Sequence, residues 1–213
     1  MKSSGIKTST VLASFLLAAC LSMHAEVKLP AIFSDGMVMQ QQTNANLWGT
    51  ATPNKKVTVT TGWNGKQYAV TADKNGSWKL SVSTPEAGGP YTITFDDGTP
   101  KTLNNILIGE LWLCSGQSNM EMPMKGFKNQ PVENANMDIL RSKNPHIRLF
   151  TVKRTSTITP QNDVVGSWKE AAPVSVRDFS ATAYYFGRLV NEILEVPVLS
   201  LIHISEPTRR VVI

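Results

Sequence analysis

Hydrophobic and polar positions alternate in short runs between residues 57 and 95, and turn residues separate the runs. The pattern predicts four strands, at 57–61, 67–71, 78–82 and 91–95. The pairs Asn64-Gly65 and Asn75-Gly76 fall between the first three runs and are strong hairpin signals. Short strands separated by turns are typical of a β-sandwich, which we predict for residues 26–105.

The pattern changes after residue 105. Ile106–Leu113 is a mostly apolar run of eight residues, which favours a buried strand, and Cys114–Asn119 is small or polar, which favours a sharp turn and a helix start. Further along we predict a helix at 134–142, a strand at 147–152 with Arg148 at its edge, and a helix from an N-cap at Ser180 to about Leu194. The helix face predicted to lie on the sheet contains Ala183, Phe186, Val190, Ile193 and Leu194. This order of elements indicates an α/β domain.

Ser118 is the candidate catalytic residue. A turn at the carboxyl end of a buried strand presents a hydroxyl in the crevice where open α/β sheets bind ligands, and a helix start supplies backbone N–H groups for an oxyanion. Gly116 allows the backbone to bend and to approach a substrate closely. A Gly-x-Ser tripeptide alone is more often a surface turn, and Met120 replaces the second Gly of the lipase-type Gly-x-Ser-x-Gly elbow.

The eleven residues Trp112 to Met122 (WLCSGQSNMEM) resemble the nucleophile block of the sialate O-acetylesterase family, which belongs to the SGNH (GDSL-like) hydrolases. The resemblance implies that Ser118 is the nucleophile and that its backbone N–H lies in the oxyanion hole. It also implies removal of O-acetyl groups from sugars without a metal or an organic cofactor. The expected fold is therefore mixed: an all-β sandwich at 26–105, followed by the start of a flavodoxin-like SGNH domain at 106–198. Within the sandwich, Trp78 and Gly88–Tyr91 also resemble the family's pattern.

The resemblance ends at Val198. Residues 199–213 resemble translated sequencing-adapter read-through, so we expect them to be a non-native tail and the hydrolase domain to be truncated. The family's catalytic His, in a late Asp-x-x-His segment, has no counterpart, because His24, His146 and His203 match nothing catalytic. We therefore expect this chain to be inactive as an esterase. Two alternatives stay open: a secreted glycan-binding sandwich, in which Trp48, Trp63 and Trp78 contact sugar rather than fill a core, and a pseudoenzyme without turnover.

Residues 1–25 are predicted to be a secretory signal, because Lys2 and Lys7 precede an apolar core at 11–21 that is too short to span a bilayer. A competing interpretation makes Cys20 the lipidated residue of a bacterial lipoprotein, and only in that case is a membrane a partner. Both predict an extracytoplasmic protein.

Charge and cysteine content narrow the remaining functions. The formal net charge is +5, but the charges are scattered, so no basic stripe suited to nucleic acid is present in the sequence. Cys20 and Cys114 are the two cysteines, which predicts no disulfide in a mature chain and no zinc site. The expected partner is an O-acetylated sugar or glycan; the sequence leaves the identity of the sugar and the oligomeric state open.

Overall fold

A computed structural model describes residues 26–153, 159 and 161–204, with the side chains of 203 and 204 left out. The strands are β1 (Val38–Gln40), β2 (Asn44–Thr50), β3 (Lys56–Thr61), β4 (Gln67–Thr71), β5 (Ser77–Ser83), β6 (Gly88–Asp96), β7 (Pro100–Gly116), β8 (Asn144–Thr151), β9 (Trp168–Ala171) and β10 (Val198–Ile204). The helices are α1 (Ser118–Glu121), α2 (Ala135–Leu140), α3 (Pro173–Val176) and α4 (Ala181–Leu194). The fold is thus mixed and dominated by sheet, with few helices.

Most strands belong to one eight-stranded sheet. Its order is β4-β3-β6-β7-β10-β8-β9, and β1 pairs with β7 beside this path. Strands β7, β10 and β8 are mutually parallel, as are β1 and β7, whereas the remaining pairs are antiparallel. Strands β2 and β5 form a separate antiparallel pair.

Turns occur at both predicted Asn-Gly pairs, but only the first joins a hairpin. Strand β3 pairs with β4, whereas β4 and β5 belong to different sheets, so the hairpin predicted at Asn75-Gly76 is wrong. Gly65 and Gly76 have φ angles of +67° and +82°, a region that glycine adopts without steric cost, and each follows the Asn of its turn. The four predicted strands at 57–61, 67–71, 78–82 and 91–95 correspond to β3, β4, β5 and β6. The last of these is longer than predicted, because Gly88 and Pro90 lie within β6 instead of breaking the chain before it.

An apolar core lies between the β2–β5 pair and the large sheet. Leu47 and Val82 from the pair meet Val59, Phe95 and other side chains of the sheet, and all four are fully buried. Trp78 is 4% exposed and belongs to this core, whereas Trp48 and Trp63 are partly buried at its margin. Of the three tryptophans, Trp78 is therefore buried in a core, and Trp48 and Trp63 are only partly buried.

Strand β7 runs through residue 105, where the sequence analysis places a domain boundary. Asn105 has a φ of +58°, which is tolerated by Asn, and the pairing with β6 shifts register nearby. Two side chains hold this bulge. Arg148 Nη2 donates to Asn105 Oδ1 at 3.1 Å, and Asn105 Nδ2 donates to Glu170 Oε1 at 3.3 Å.

Arg148 was predicted at the edge of its strand, and this is wrong. Its strand β8 lies between β10 and β9, and Arg148 is only 3% exposed. Its guanidinium donates to the Pro145 carbonyl and forms an ion pair with Glu170 at 3.1 Å. A buried cation needs this full set of partners, because an unpaired charge in a low-dielectric interior is costly.

A second core lies under helix α4. Ser180 caps the helix as predicted, since its Oγ accepts from the Ala183 N–H at 3.3 Å. The buried face, however, consists of Ala181, Ala183, Tyr184 and Gly187, and not of the larger apolar residues. Small residues let α4 approach the sheet closely: an added Cβ at Gly187 would lie 2.4 Å from Ser200 Oγ. The predicted face was therefore correct for Ala183 and wrong for Phe186, Ile193 and Leu194, which are 38%, 68% and 50% exposed, because it was chosen by hydrophobicity.

The apolar run Ile106–Leu113 is only half buried. Ile106 and Ile108 lie in the first core, but Leu111, Trp112 and Leu113 are 38%, 43% and 64% exposed. This part of β7 pairs with β10 along one edge, and within the described residues its other edge has no partner strand beyond Gly109. The expectation of a fully buried strand is therefore wrong for its second half.

Residues 199–204, the start of the predicted non-native tail, complete β10 between β7 and β8. The rest of that tail and the predicted signal at 1–25 lie outside the described residues. In the described chain, no helix is both long and apolar enough to cross a membrane.

Candidate active site

Ser118 lies directly beyond the carboxyl end of β7, in the turn that the sequence predicted. Gln117 precedes it as the N-cap residue, and Ser118 is the first residue of α1. Ser118 is an exposed residue, so it is not enclosed in a packed interior. Parallel strands β7, β10 and β8 end on the same side, which is where open α/β sheets bind their ligands.

The predicted helix start is present, but the helix that begins at Ser118 is very short. Helix α1 has four residues, so its peptide dipoles add little to the local field. The hydrogen bonds of the turn come from Met120 and Glu121, whose N–H groups both donate to the Gln117 carbonyl. Within the described part of the chain, the N–H groups of Ser118 and Asn119 donate to no acceptor. They are the local groups able to bind an oxyanion.

Gly116 matters at this turn because it has no side chain, and not because its backbone angles are unusual. It is absent from the glycines with positive φ, whereas an added Cβ would lie 3.3 Å from the Cβ of Met120. A side chain here would press on the turn that carries Ser118.

The start of α4 holds the nucleophile turn in place. Thr182 Oγ1 donates to the Asn119 carbonyl at 3.1 Å, and the Ala181 N–H donates to the Met122 carbonyl at 2.8 Å. Ser180 Oγ also contacts Met120 Sδ at 3.5 Å. The sequence analysis missed Thr182, and no local pattern links it to a carbonyl 63 residues away.

Helix α4 is itself tied to α2 by a charged cluster. Asp138 in α2 accepts from Tyr185 Oη at 2.7 Å and from Arg188 Nη1 at 2.9 Å. These bonds lower the pKa of Asp138, with the Tyr185 hydroxyl as the largest cause and Arg188 next. Burial, followed by the hydrogen bond to Asp138, raises the pKa of Tyr185 to about 12.

A shallow groove of about 320 Å³ lies beside the turn. Trp112 and Phe186 form one side, with ring centroids 5.1 Å apart in an edge-to-face arrangement, and Cys114 and Met120 contribute to the other. Cys114 is half-buried, and burial raises the pKa of its thiol, so at neutral pH it acts as an apolar lining group. The groove offers an apolar surface within a few residues of Ser118.

His146 is not placed to act on Ser118. It precedes Ile147, which is level with Glu110 across β10, so it lies near the opposite end of the parallel strands. The eight residues from Gly109 to Gly116 alone span roughly 20 Å at the usual rise of a strand. His146 is exposed, but it lies within β8 and not in the loop before that strand, where the sequence placed it. The side chain of His203 lies outside the described residues.

The described residues contain no group of three or more His, Cys, Asp or Glu side chains able to hold a metal ion. Around Ser118 the described residues bring together a hydroxyl, the N–H groups of Ser118 and Asn119, and an apolar groove.

No family model matches the chain. Curated relatives are the sialate O-acetylesterase of Mus musculus, 30% identical over 204 residues, and that of Homo sapiens, 26% identical over 189 residues. The alignments cover 86% and 80% of this chain but 37% and 35% of those relatives, so the chain spans little more than one third of their length. The solved structure of a carbohydrate acetylesterase from Xanthomonas citri matches with a TM-score of 0.77 and 29% identity, over 84% of this chain and 40% of that one.

Proposed function

Because this chain belongs to the sialate O-acetylesterase family, we propose that it takes part in removing O-acetyl groups from sugars, with Ser118 as the nucleophile. The observation that carries the proposal is the exposed position of Ser118 directly beyond the carboxyl end of β7. The family's named activity and the position of this serine agree, although nothing in the comparisons assigns the residue.

The proposed reaction is acyl transfer in two steps. Ser118 Oγ attacks the acetyl carbonyl, its proton passes to a general base, and the negative oxygen is held by the N–H groups of Ser118 and Asn119. The ester bond then breaks, and the base returns the proton to the departing sugar hydroxyl. Water, activated by the same base, cleaves the acetyl-serine and releases acetate.

The base is the missing part of this scheme. Among the described side chains, no histidine lies next to Ser118, and its hydroxyl has no hydrogen-bond acceptor. We propose that the base belongs to polypeptide that the curated relatives contain outside the matched third. A missing base removes about two to four orders of magnitude from the rate, so the chain as printed is expected to show negligible turnover.

The test compares two proteins on p-nitrophenyl acetate and on O-acetylated sialic acid. The first is the chain as printed, and the second is the product encoded when the genomic DNA is read in frame beyond codon 198. We expect acetate release and fluorophosphonate labelling of Ser118 in the second protein, both lost in Ser118→Ala. Ser115→Ala, a change at an exposed serine three residues away, is the matched control and should retain labelling. Labelling at another residue, or turnover that survives Ser118→Ala, would contradict the assignment.

We propose that the chain has two domains: residues 26–105 form a β-sandwich, and residues 106–198 form the N-terminal part of an SGNH hydrolase domain. Two of the three apolar clusters support this division, because one is built almost wholly from residues before 109 and the other from residues after 113; the third joins Val38 to Phe150 and Leu199 where the regions meet. We also propose an extracytoplasmic location, on the basis of the leader pattern at 1–25.

A further inference from the structure

A second cavity lies away from Ser118, where the β2–β5 pair meets the segment around residue 163. We call it the Trp48 cleft; it has a volume of about 540 Å³, and its walls include Lys28, Trp48, Trp78, Lys79 and Asp163. This size lies within the range of small-molecule sites, and aromatic walls with a few polar groups are typical of them. The Trp48 cleft shares no residue with the groove beside Ser118.

Trp48 is fixed in position although it is only partly buried. Its ring meets Phe33 edge-to-face with centroids 4.5 Å apart, and its Nε1 donates to the Asn162 carbonyl at 3.3 Å. A ring that is already ordered loses little conformational entropy when a ligand binds, so it is a favourable surface for stacking.

Polar groups of both charges surround this ring. Lys79 lies directly opposite Trp48 in the β2–β5 register, and Lys28 and Asp163 line the same cavity. Asp163 is oriented by two backbone donors, since its Oδ1 accepts from the N–H groups of Ala31 and Val164 at 2.8 and 2.7 Å. Two ammonium groups against one carboxylate leave the cleft with an excess of positive charge.

Trp78 adds a buried donor. Its Nε1 is inaccessible to solvent and has no hydrogen-bond partner within the described residues. The edge of the indole that bears this nitrogen lies against Gly49, where an added Cβ would approach its Cε2 at 3.2 Å and the Lys28 carbonyl at 2.4 Å. Buried donors in native proteins are rarely left unpaired, and among the described residues this one has no acceptor.

We propose that the Trp48 cleft binds a pyranose ring of a glycan. A pyranose has an apolar C–H face, which suits the fixed indole of Trp48, and a rim of hydroxyls, which suits the surrounding ammonium and carboxylate groups. The positive excess favours sugars that carry a carboxylate, with Lys79 as the contact that distinguishes them from neutral sugars. The site rests on the proposed function only in the choice of a carbohydrate as ligand.

The experiment measures binding to the full chain with Ser118→Ala, by isothermal titration and by saturation-transfer NMR. The two probes are sialyllactose, which is acidic, and xylotetraose, which is neutral; neither carries the ester of the proposed reaction. We expect binding of at least one probe, weakened tenfold or more by Trp48→Ala. The matched control is Trp63→Ala, since Trp63 is likewise partly buried with its Nε1 bonded to a carbonyl, and it should change affinity less than twofold.

Lys79→Glu keeps the test decisive if Trp48→Ala fails to fold, because Lys79 is exposed and its replacement leaves the core intact. We expect this change to reduce affinity for sialyllactose at least fivefold and to have little effect on xylotetraose. Absence of binding by both probes at millimolar concentration, or equal losses in Trp48→Ala and Trp63→Ala, would overturn the proposal. Neither result depends on Ser118, so a failure here leaves the esterase assignment to its own test.

Discussion

Two of the three apolar cores in the described residues, the one between the sheets and the one under α4, differ in how completely they close. In the first, side chains from two sheets face each other, and Val57, Val59, Ile93 and Phe95 are fully buried. In the second, helix α4 covers one face of the parallel strands, while Leu113, Leu189 and Ile193 remain 64%, 54% and 68% exposed. The first region is thus closed, whereas the second, which contains Ser118, is open.

The largest change in the free energy of unfolding should come from a substitution in the closed core. Phe95→Ala removes a fully buried ring and should lower the free energy of unfolding by about 3–5 kcal/mol, measured by urea denaturation. Leu113→Ala, an equally apolar change in the open region, should alter it by no more than about 0.5 kcal/mol. Equal losses would mean that Leu113 is buried in solution and that the contrast between the two regions is absent.

A smaller loss is expected where the regions join. Arg148→Ala breaks the contacts to Asn105, Pro145 and Glu170 and should cost about 2–3 kcal/mol of unfolding free energy, less than a fully buried pair because the Glu170 side chain is 51% exposed. Lys125→Ala serves as the comparison, since its partner Asp178 is exposed and surface pairs contribute about 0–1 kcal/mol. If both variants unfold at the same urea concentration, Arg148 does not hold the bulge.

Within the open region, the contact from α4 should control the reactivity of Ser118. Thr182→Val removes the hydrogen bond to the Asn119 carbonyl and should slow fluorophosphonate labelling of Ser118 in the longer gene product about tenfold, equivalent to ~1.4 kcal/mol. Thr182→Ser retains the hydroxyl and should restore the rate. A purely structural role would instead lower stability in both variants and leave the labelling rate of the folded protein unchanged.

The smallest effect should depend on pH. The pKa of Asp138 is lowered in the folded chain, mainly by the Tyr185 hydroxyl and then by Arg188, so its contribution is present above the unfolded pKa of about 3.9 and is lost as pH falls through the folded value. Asp138→Asn should therefore cost about 1 kcal/mol at pH 7 and progressively less in acid. A difference that stays constant down to pH 2 would exclude the charge of Asp138 as its cause.

The sequence predicted turns and helix caps better than it predicted which side chains pack together. The Asn-Gly turns and the Ser180 cap depend on neighbouring residues alone, and both are where the pattern indicated. The buried face of α4 depends instead on the distance to β10, which Gly187 and Ser200 set together. The contact of Thr182 with Asn119 joins positions that are remote in the chain, so no short pattern reports it.

Strand β7 also determines how the protein can be recombined with others. Its 17 residues pass without a break from one core to the other, so a crossover placed at residue 105 would cut a hydrogen-bonded ladder and detach Asn105 from Arg148. The β6–β7 turn around Gly98 lies outside both strands and tolerates a junction with less damage. In a chimaera that replaces residues 26–96, all of β7 and Ser118 should therefore come from the same parent protein. Strand β7 is the smallest segment that can be transferred together with this site.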